Sequence, residues 1–226
     1  MTHPIRVAQV LAGALQGGAE NFYARLVSAL ADYPDIQQKA FMRNNKKRED
    51  IISAAGVPYE NFRFGGPLHF IDHLKYRQSL QKWSPDIVLT YMNRATKLTP
   101  RGNYQLVARL GHYYDLKYYR HCDYWIGNTR GICDYLVQGG MAREKVFHIG
   151  NFVDEDTPTE LDKAEFNTAK NEPVILALGR LHTNKAFDVL IKSMVDVPEA
   201  ILWLAGDGPE RSTLEQLAED LGVLDR

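Results

Sequence analysis

The chain has 226 residues, 45% of them hydrophobic and 24% charged, with a formal net charge of −1. These values fit a soluble globular protein large enough for one or two buried cores. No apolar run reaches the roughly 20 residues of a membrane-spanning helix, and MTHPIRVAQVL lacks the basic and long apolar regions of a secretory signal, so a cytoplasmic location is expected.

The small net charge hides an asymmetry. Residues 1–155 carry 20 Lys and Arg against 14 Asp and Glu, whereas residues 156–226 carry 7 against 14. Such a split suggests two units facing different partners. Neither half has the dense basic stripe expected of a nucleic-acid-binding protein. The two cysteines, Cys122 and Cys133, lack metal-type spacing and are expected as reduced, part-buried thiols.

In chain order, IRVAQVL (5–11) reads as a strand. AENFYARLVSALADY (19–33) follows as an amphipathic helix with Phe22, Leu26, Ala29 and Leu30 on one face. A strand at 36–42 leads to a helix over 48–56, ended by Gly56. A helix at 70–83 stops before Pro85, and strands follow at 86–91, 105–110, 124–128 and 145–149. The polar stretch 156–171 reads as a linker, after which PVILALG and AILWLAG begin a second series. Strands alternating with helices predict an α/β protein: a Rossmann-like, doubly wound parallel sheet over 1–155 and the start of a second one over 172–226.

The first strand runs into AGALQGGAEN, a glycine-rich turn through which backbone N–H groups could approach a phosphate. Its glycines, Gly13, Gly17 and Gly18, miss the GxGxxG spacing, so a plain tight turn competes with a phosphate loop. Gly13 and Gly17, with Tyr113 four residues before Lys117, also open a short-chain-dehydrogenase-like reading. Against it, the second strand ends in Met42 and Arg43, where a ribose-binding acid would be needed.

Two later segments, GRLHTNKAFDVLI and LWLAGDGPERSTLEQLAEDLG, each follow a strand and open a helix. Loops at the carboxyl ends of parallel strands are where ligands bind in open α/β sheets. Arg180 offers a planar fork and Lys185 a compact ammonium, a pair suited to a diphosphate. Structural alternatives are an Arg180–Asp207 ion pair and a solvated Lys185 at a helix start.

QGGAE (16–20), CDYWIGNTRGICDYLVQGGMAREKVFHIGNFVD (122–154), GRLHTNKAFDVLI and AGDGPERSTLEQLAEDLG occur in that order. Together they resemble the retaining family 4 glycosyltransferases of the GT-B fold, over essentially the whole chain. The resemblance implies transfer of a sugar, with retention, from a nucleotide-diphospho-sugar to a glycan or lipid-linked acceptor in cell-surface polysaccharide or lipopolysaccharide synthesis, with no metal or other cofactor. It implies that Arg180 and Lys185 hold the diphosphate, with Gly17, Gly18, Gly179, Asp207 and Gly208 around it, and that His112 faces the donor sugar. It also implies, for the basic segments RNNKKR, FRFGGPLHF and KYYRH, a peripheral contact with the cytoplasmic membrane face. The paired histidines of HFIDH (69–73) are not expected to bind metal.

Three departures stand out. Phe152 and Ala186 replace family glycines, and the histidine register at His112 is shifted by one. The family's two glutamates eight apart are absent, and the sequence ends at LGVLDR where a further strand is expected. The second domain is therefore read as incomplete, with weak donor binding and an open sheet edge that invites self-association. A non-catalytic short form that binds an acceptor or partner is the alternative from another class.

Overall fold

The computed structural model describes residues 3–15, 17–65, 69–153 and 159–226. The chain divides into two compact units, Met1–Asp154 and Glu155–Arg226.

The first unit alternates strand and helix. β1 (Ile5–Leu11), α1 (Gly18–Leu30), β2 (Ile36–Met42), α2 (Lys46–Ala54) and β3 (Tyr59–Asn61) form its first half. α3 (His69–Trp83), β4 (Ile87–Tyr91), α4 (Met92–Leu98), β5 (Gln105–Leu110), β6 (Tyr124–Gly127), α5 (Arg130–Gln138) and β7 (Val146–His148) form the second. All neighbouring strands are parallel, in the order β3-β2-β1-β4-β5-β6-β7. The chain winds outward from β1 to β3, then returns to β4 and winds the other way. This reversal opens a crevice beyond the carboxyl ends of β1 and β4.

Strand alternation divides the core in two. Ala8, Val10, Phe41, Val88 and Leu106 face α3, α4 and α5 through Tyr76, Leu80, Ala95 and Leu136. Val7, Leu11, Ala40, Met42 and Leu89 face α1 and α2 through Phe22, Tyr23, Val27 and Ile52. A polar strip crosses this second layer with its hydrogen bonds made. Gln9 Nε2 donates to Gln38 Oε1 at 2.9 Å, Gln38 Nε2 to the Val27 carbonyl at 2.9 Å, and the Tyr91 hydroxyl to Gln9 Oε1 at 2.9 Å. Buried polar groups persist when satisfied in this way.

Two sequence expectations shift. In α1 the packed face is Glu20, Phe22, Tyr23, Ala24 and Val27, while Ala29 is exposed and Leu26 and Leu30 are half-buried. α2 begins two residues early because Asn45 caps it: its side chain accepts the Arg48 N–H at 3.0 Å.

The second unit contains β8 (Val174–Leu178), α6 (Phe187–Ser193), β9 (Ile201–Ala205) and α7 (Arg211–Asp220). β8 and β9 pair in parallel, and Leu181, Phe187, Ile191, Leu214 and Val223 form the core beneath them. Part of the polar stretch packs on this unit. The Phe166 ring lies 4.7 Å from that of Trp203, and Trp203 Nε1 donates to the buried Thr168 hydroxyl at 3.0 Å. Leu176 and Leu178 remain exposed on β8. Cys122 and Cys133 are free and buried.

Candidate functional site

The second unit's two loops interlock. The Gly179 N–H donates to the Ala205 carbonyl at 3.0 Å, Leu181 N–H to the Asp207 carbonyl at 3.0 Å, and Glu210 N–H to the Leu181 carbonyl at 3.2 Å. A Cβ at Gly206 would sit 1.8 Å from the Gly179 oxygen, and one at Gly208 would sit 2.2 Å from the Leu181 oxygen. Only glycine lets these backbones run so close. The result is a double loop at the carboxyl ends of β8 and β9. It presents Arg180, Lys185 and Asp207, all exposed.

Among the described residues neither Arg180 nor Lys185 joins an ion pair; the Asp207 carboxylate instead accepts the Gly208 N–H at 2.8 Å. The Arg180–Asp207 pairing weighed from sequence is thus not formed. Lys185 ends a 3-10 turn over Thr183–Lys185, capped by His182, and its Cε lies 4.0 Å from where a Gly179 side chain would begin. Residue 186 then takes a left-handed conformation, φ 53°, which explains why glycine suits that position and Ala186 is costly there.

In the first unit the loop after β1 is built around Glu20. Its carboxylate accepts the Ala14 N–H at 2.7 Å, and Cβ atoms at Gly13 or Gly17 would lie 2.3 Å from its oxygens. Arg43 Nη1, Asn45 Nδ2 and Arg48 Nη2 donate to the carbonyls of Gly13, Leu15 and Ala14 at 3.3, 3.0 and 3.1 Å. The Gly17 and Gly13 requirement is therefore steric and local. Gly18 differs: among the described residues nothing lies within 4 Å of the side-chain position it leaves open. Gln16 lies outside the described residues.

Gly18 lines a cavity of about 210 Å³ beyond β4, β5 and β6, together with Tyr91, Arg109, Gly111, Tyr114 and Asn151. Arg109 is the main surprise. It is buried, its ring-facing guanidinium carbon is 4.1 Å from the Phe22 centroid, and Nη2 donates to the Ile149 and Gly150 carbonyls and Asn151 Oδ1 at 3.2, 3.3 and 2.9 Å. Among the described residues its Nε has no partner, and burial lowers its pKa from the ordinary arginine value. Phe152 meets the other side of this assembly, 5.4 Å edge-on to Phe22. Phe152 thus acts as packing for the 149–152 loop. His112 is exposed on the loop after β5, its ring 5.6 Å from that of Tyr114, and is not among the cavity's lining residues.

The dehydrogenase reading loses its pair. Lys117 Nζ binds Asp115 Oδ2 at 2.5 Å, and the exposed Tyr113 ring packs 5.3 Å from Tyr135. His73 stacks loosely on Tyr76 at 6.4 Å, and the His69 side chain is outside the described set.

A family model for glycosyl transferases group 1 matches residues 158–226. The double loop lies within this matched segment. The chain is 35% identical over 214 residues to the lipopolysaccharide core biosynthesis glycosyltransferase LpsE of Rhizobium meliloti, and 30% identical over 214 residues to LpsD of the same organism. Each match covers 93% of this chain and 62% of the relative, so the chain spans under two thirds of their length. The crystal structure of HepE from Anabaena in complex with UDP superposes with a TM-score of 0.78 at 19% identity, covering 98% of this chain and 68% of that one. The fold is that of GT-B glycosyltransferases.

Sequence reasoning missed Glu20 and Arg109. Glu20 stands in the QGGAE stretch, where nothing in the local pattern singles out its carboxylate. A lone arginine inside the apolar strand QLVARL was the available signal for the second.

Proposed function

We propose that the chain carries out, as part of a group 1 glycosyltransferase, transfer of a sugar with retention from a nucleotide-diphospho-sugar to a glycan or lipid-linked acceptor in lipopolysaccharide or related cell-surface polysaccharide synthesis. The carrying observation is the glycine-locked double loop, which presents Arg180 and Lys185 exposed and free of ion pairs. Breaking the sugar–phosphate bond leaves negative charge on the departing nucleoside diphosphate. Fixed cations favour that charge more in the transition state than in the bound substrate. In this scheme the leaving phosphate accepts the proton of the attacking acceptor hydroxyl, so no carboxylate dyad is required. Arg180 and Lys185 supply the positive charge without a metal.

The acceptor is assigned to the first unit, and the site of action to the cytoplasmic membrane face. Supporting that placement, Phe70, Ile71 and Leu74 are exposed on α3 beside the exposed Lys75. Each Lys or Arg near an anionic bilayer adds on the order of 1 kcal/mol. Among the described residues no helix is long and apolar enough to cross a membrane.

The test is a donor screen on the whole glycosyltransferase of which the chain is proposed to be part. UDP-, GDP-, ADP- and dTDP-sugars are offered with a lipopolysaccharide-core glycan, and released nucleoside diphosphate and glycosylated product are read together. UDP-bound HepE makes UDP-sugars the first choice. Product with an inverted anomeric centre, or no turnover with any donor, would count against the proposal. Binding without turnover would favour the non-catalytic short form.

A further inference from the structure

A second cavity in the first unit, about 750 Å³, is unused by the account so far. It lies beyond the carboxyl ends of β2, β3 and β4, at the edge of the sheet where open α/β folds receive ligands. Its charged lining is one-sided: Arg43, Arg63, Lys75 and Arg94 against the single acid Asp72. These cations come from four separate segments, so their convergence reflects the fold and not a charge run in the sequence.

Among the described residues Asp72 forms no ion pair with any of them. Its two oxygens accept the backbone N–H groups of Arg63 and Phe64 at 2.9 and 2.8 Å. This fixes the loop after β3 in an unusual shape, with Phe64 at φ 50° followed by Gly65 at φ 146°. A non-glycine residue in that region is strained, and such strain persists where surrounding contacts hold it. Among the described residues none of the four cations joins an ion pair. Arg43 Nη1 is partly engaged, donating to the Gly13 carbonyl at 3.3 Å, while Arg63, Lys75 and Arg94 are exposed.

We infer that this cavity binds the phosphate or carboxylate of an anionic saccharide, the acceptor of the proposed transfer. The inference rests on the glycosyltransferase reading for the word acceptor, and on the cavity itself for the chemistry. Planar guanidiniums match phosphate and carboxylate oxygens in pairs. The exposed amides of Asn44 and Asn61 line the same wall; Asn61 Nδ2 donates to Glu49 Oε1 at 3.0 Å, which leaves its carbonyl oxygen, with the Asn44 amide, to meet sugar hydroxyls. The volume falls within the ordinary range of ligand sites, roughly 300–1,000 Å³. A single-stranded nucleic acid is disfavoured because the lining aromatics Phe62 and Phe64 are buried and offer no stacking face.

Calorimetry at low salt with glucose 6-phosphate, glucuronate and glucose tests the inference, using the whole 226-residue chain. The expected result is that at least one anionic sugar binds about tenfold or more tightly than glucose, with the two anions separating phosphate from carboxylate preference. Lys75→Gln combined with Arg94→Gln, both exposed and outside the donor loops, should weaken that binding about tenfold or more. Arg180→Gln should leave it unchanged. Equal affinity for glucose and both anions, wild-type affinity in the double variant, or binding only to phosphatidylglycerol vesicles would overturn the inference. Failure here with donor turnover intact would sink this inference alone. Anionic-sugar binding without any donor turnover would sink the glycosyltransferase reading instead.

Discussion

The Glu20 carboxylate accepts the Ala14 N–H at 2.7 Å and occupies the space that a side chain at Gly13 would need, 2.3 Å from its Cβ position. One buried acid thus closes the glycine loop and dictates Gly13 and Gly17.

Gly13→Ala should therefore expel the carboxylate and leave Ala14 N–H unpaired, a cost of about 1–3 kcal/mol. Glu20→Ala should cost a similar amount. In the double variant the two effects should fall well short of their sum, because the clash and the lost hydrogen bond concern the same atoms. Urea unfolding of the four proteins checks this. Full additivity would show that the two sites are independent.

Ala186 sits at φ 53°, where an L-residue is penalised. Ala186→Gly should raise stability by about 1 kcal/mol, since relief of that strain outweighs glycine's greater freedom in the unfolded chain. Thermal unfolding showing a lower midpoint for the glycine variant would contradict the assigned backbone conformation.

Burial pushes the Cys122 thiol up to about 12, well above the ordinary cysteine range. Above about pH 9 the unfolded thiol loses its proton while the native one keeps it, so the folded state binds more protons and stability falls as pH rises towards 12. Cys122→Ala should flatten that decline. The same burial should make Cys122 slow to label with a thiol reagent at pH 8 until the chain is unfolded.

Much of this architecture was legible because parallel strands buried on both faces are apolar runs, as in IRVAQVL and DIVLTY. β3 escaped notice because YEN is three polar-leaning residues at a sheet edge, with no periodicity to read. α4 was hidden too: MNRATKL starts directly from β4 through Met92 at φ 64°, with no side-chain cap. The α1 face was misplaced because Tyr23 and Glu20 are held by tertiary partners, the Gln9 carbonyl and the Ala14 N–H, that no local pattern announces. The double loop was readable from its ordered motifs. The cationic cavity was not, since Arg43, Arg63, Lys75 and Arg94 come together only through the sheet.

In a turnover assay of the proposed glycosyltransferase, Lys185→Ala should lower kcat far more than it raises KM, because the proposed contact strengthens as charge develops on the leaving phosphate. An effect confined to KM would make Lys185 a ground-state binding residue only.

The central claim is that Arg180 and Lys185 hold a nucleoside diphosphate at the double loop. The most direct measurement is an NMR titration of the ¹⁵N-labelled chain with UDP and GDP. The account predicts weak, saturable shifts at the amides of Gly179, Arg180, Asp207 and Gly208 that vanish in Arg180→Gln/Lys185→Gln. Shifts confined to the first unit, or unchanged in that double variant, would contradict it.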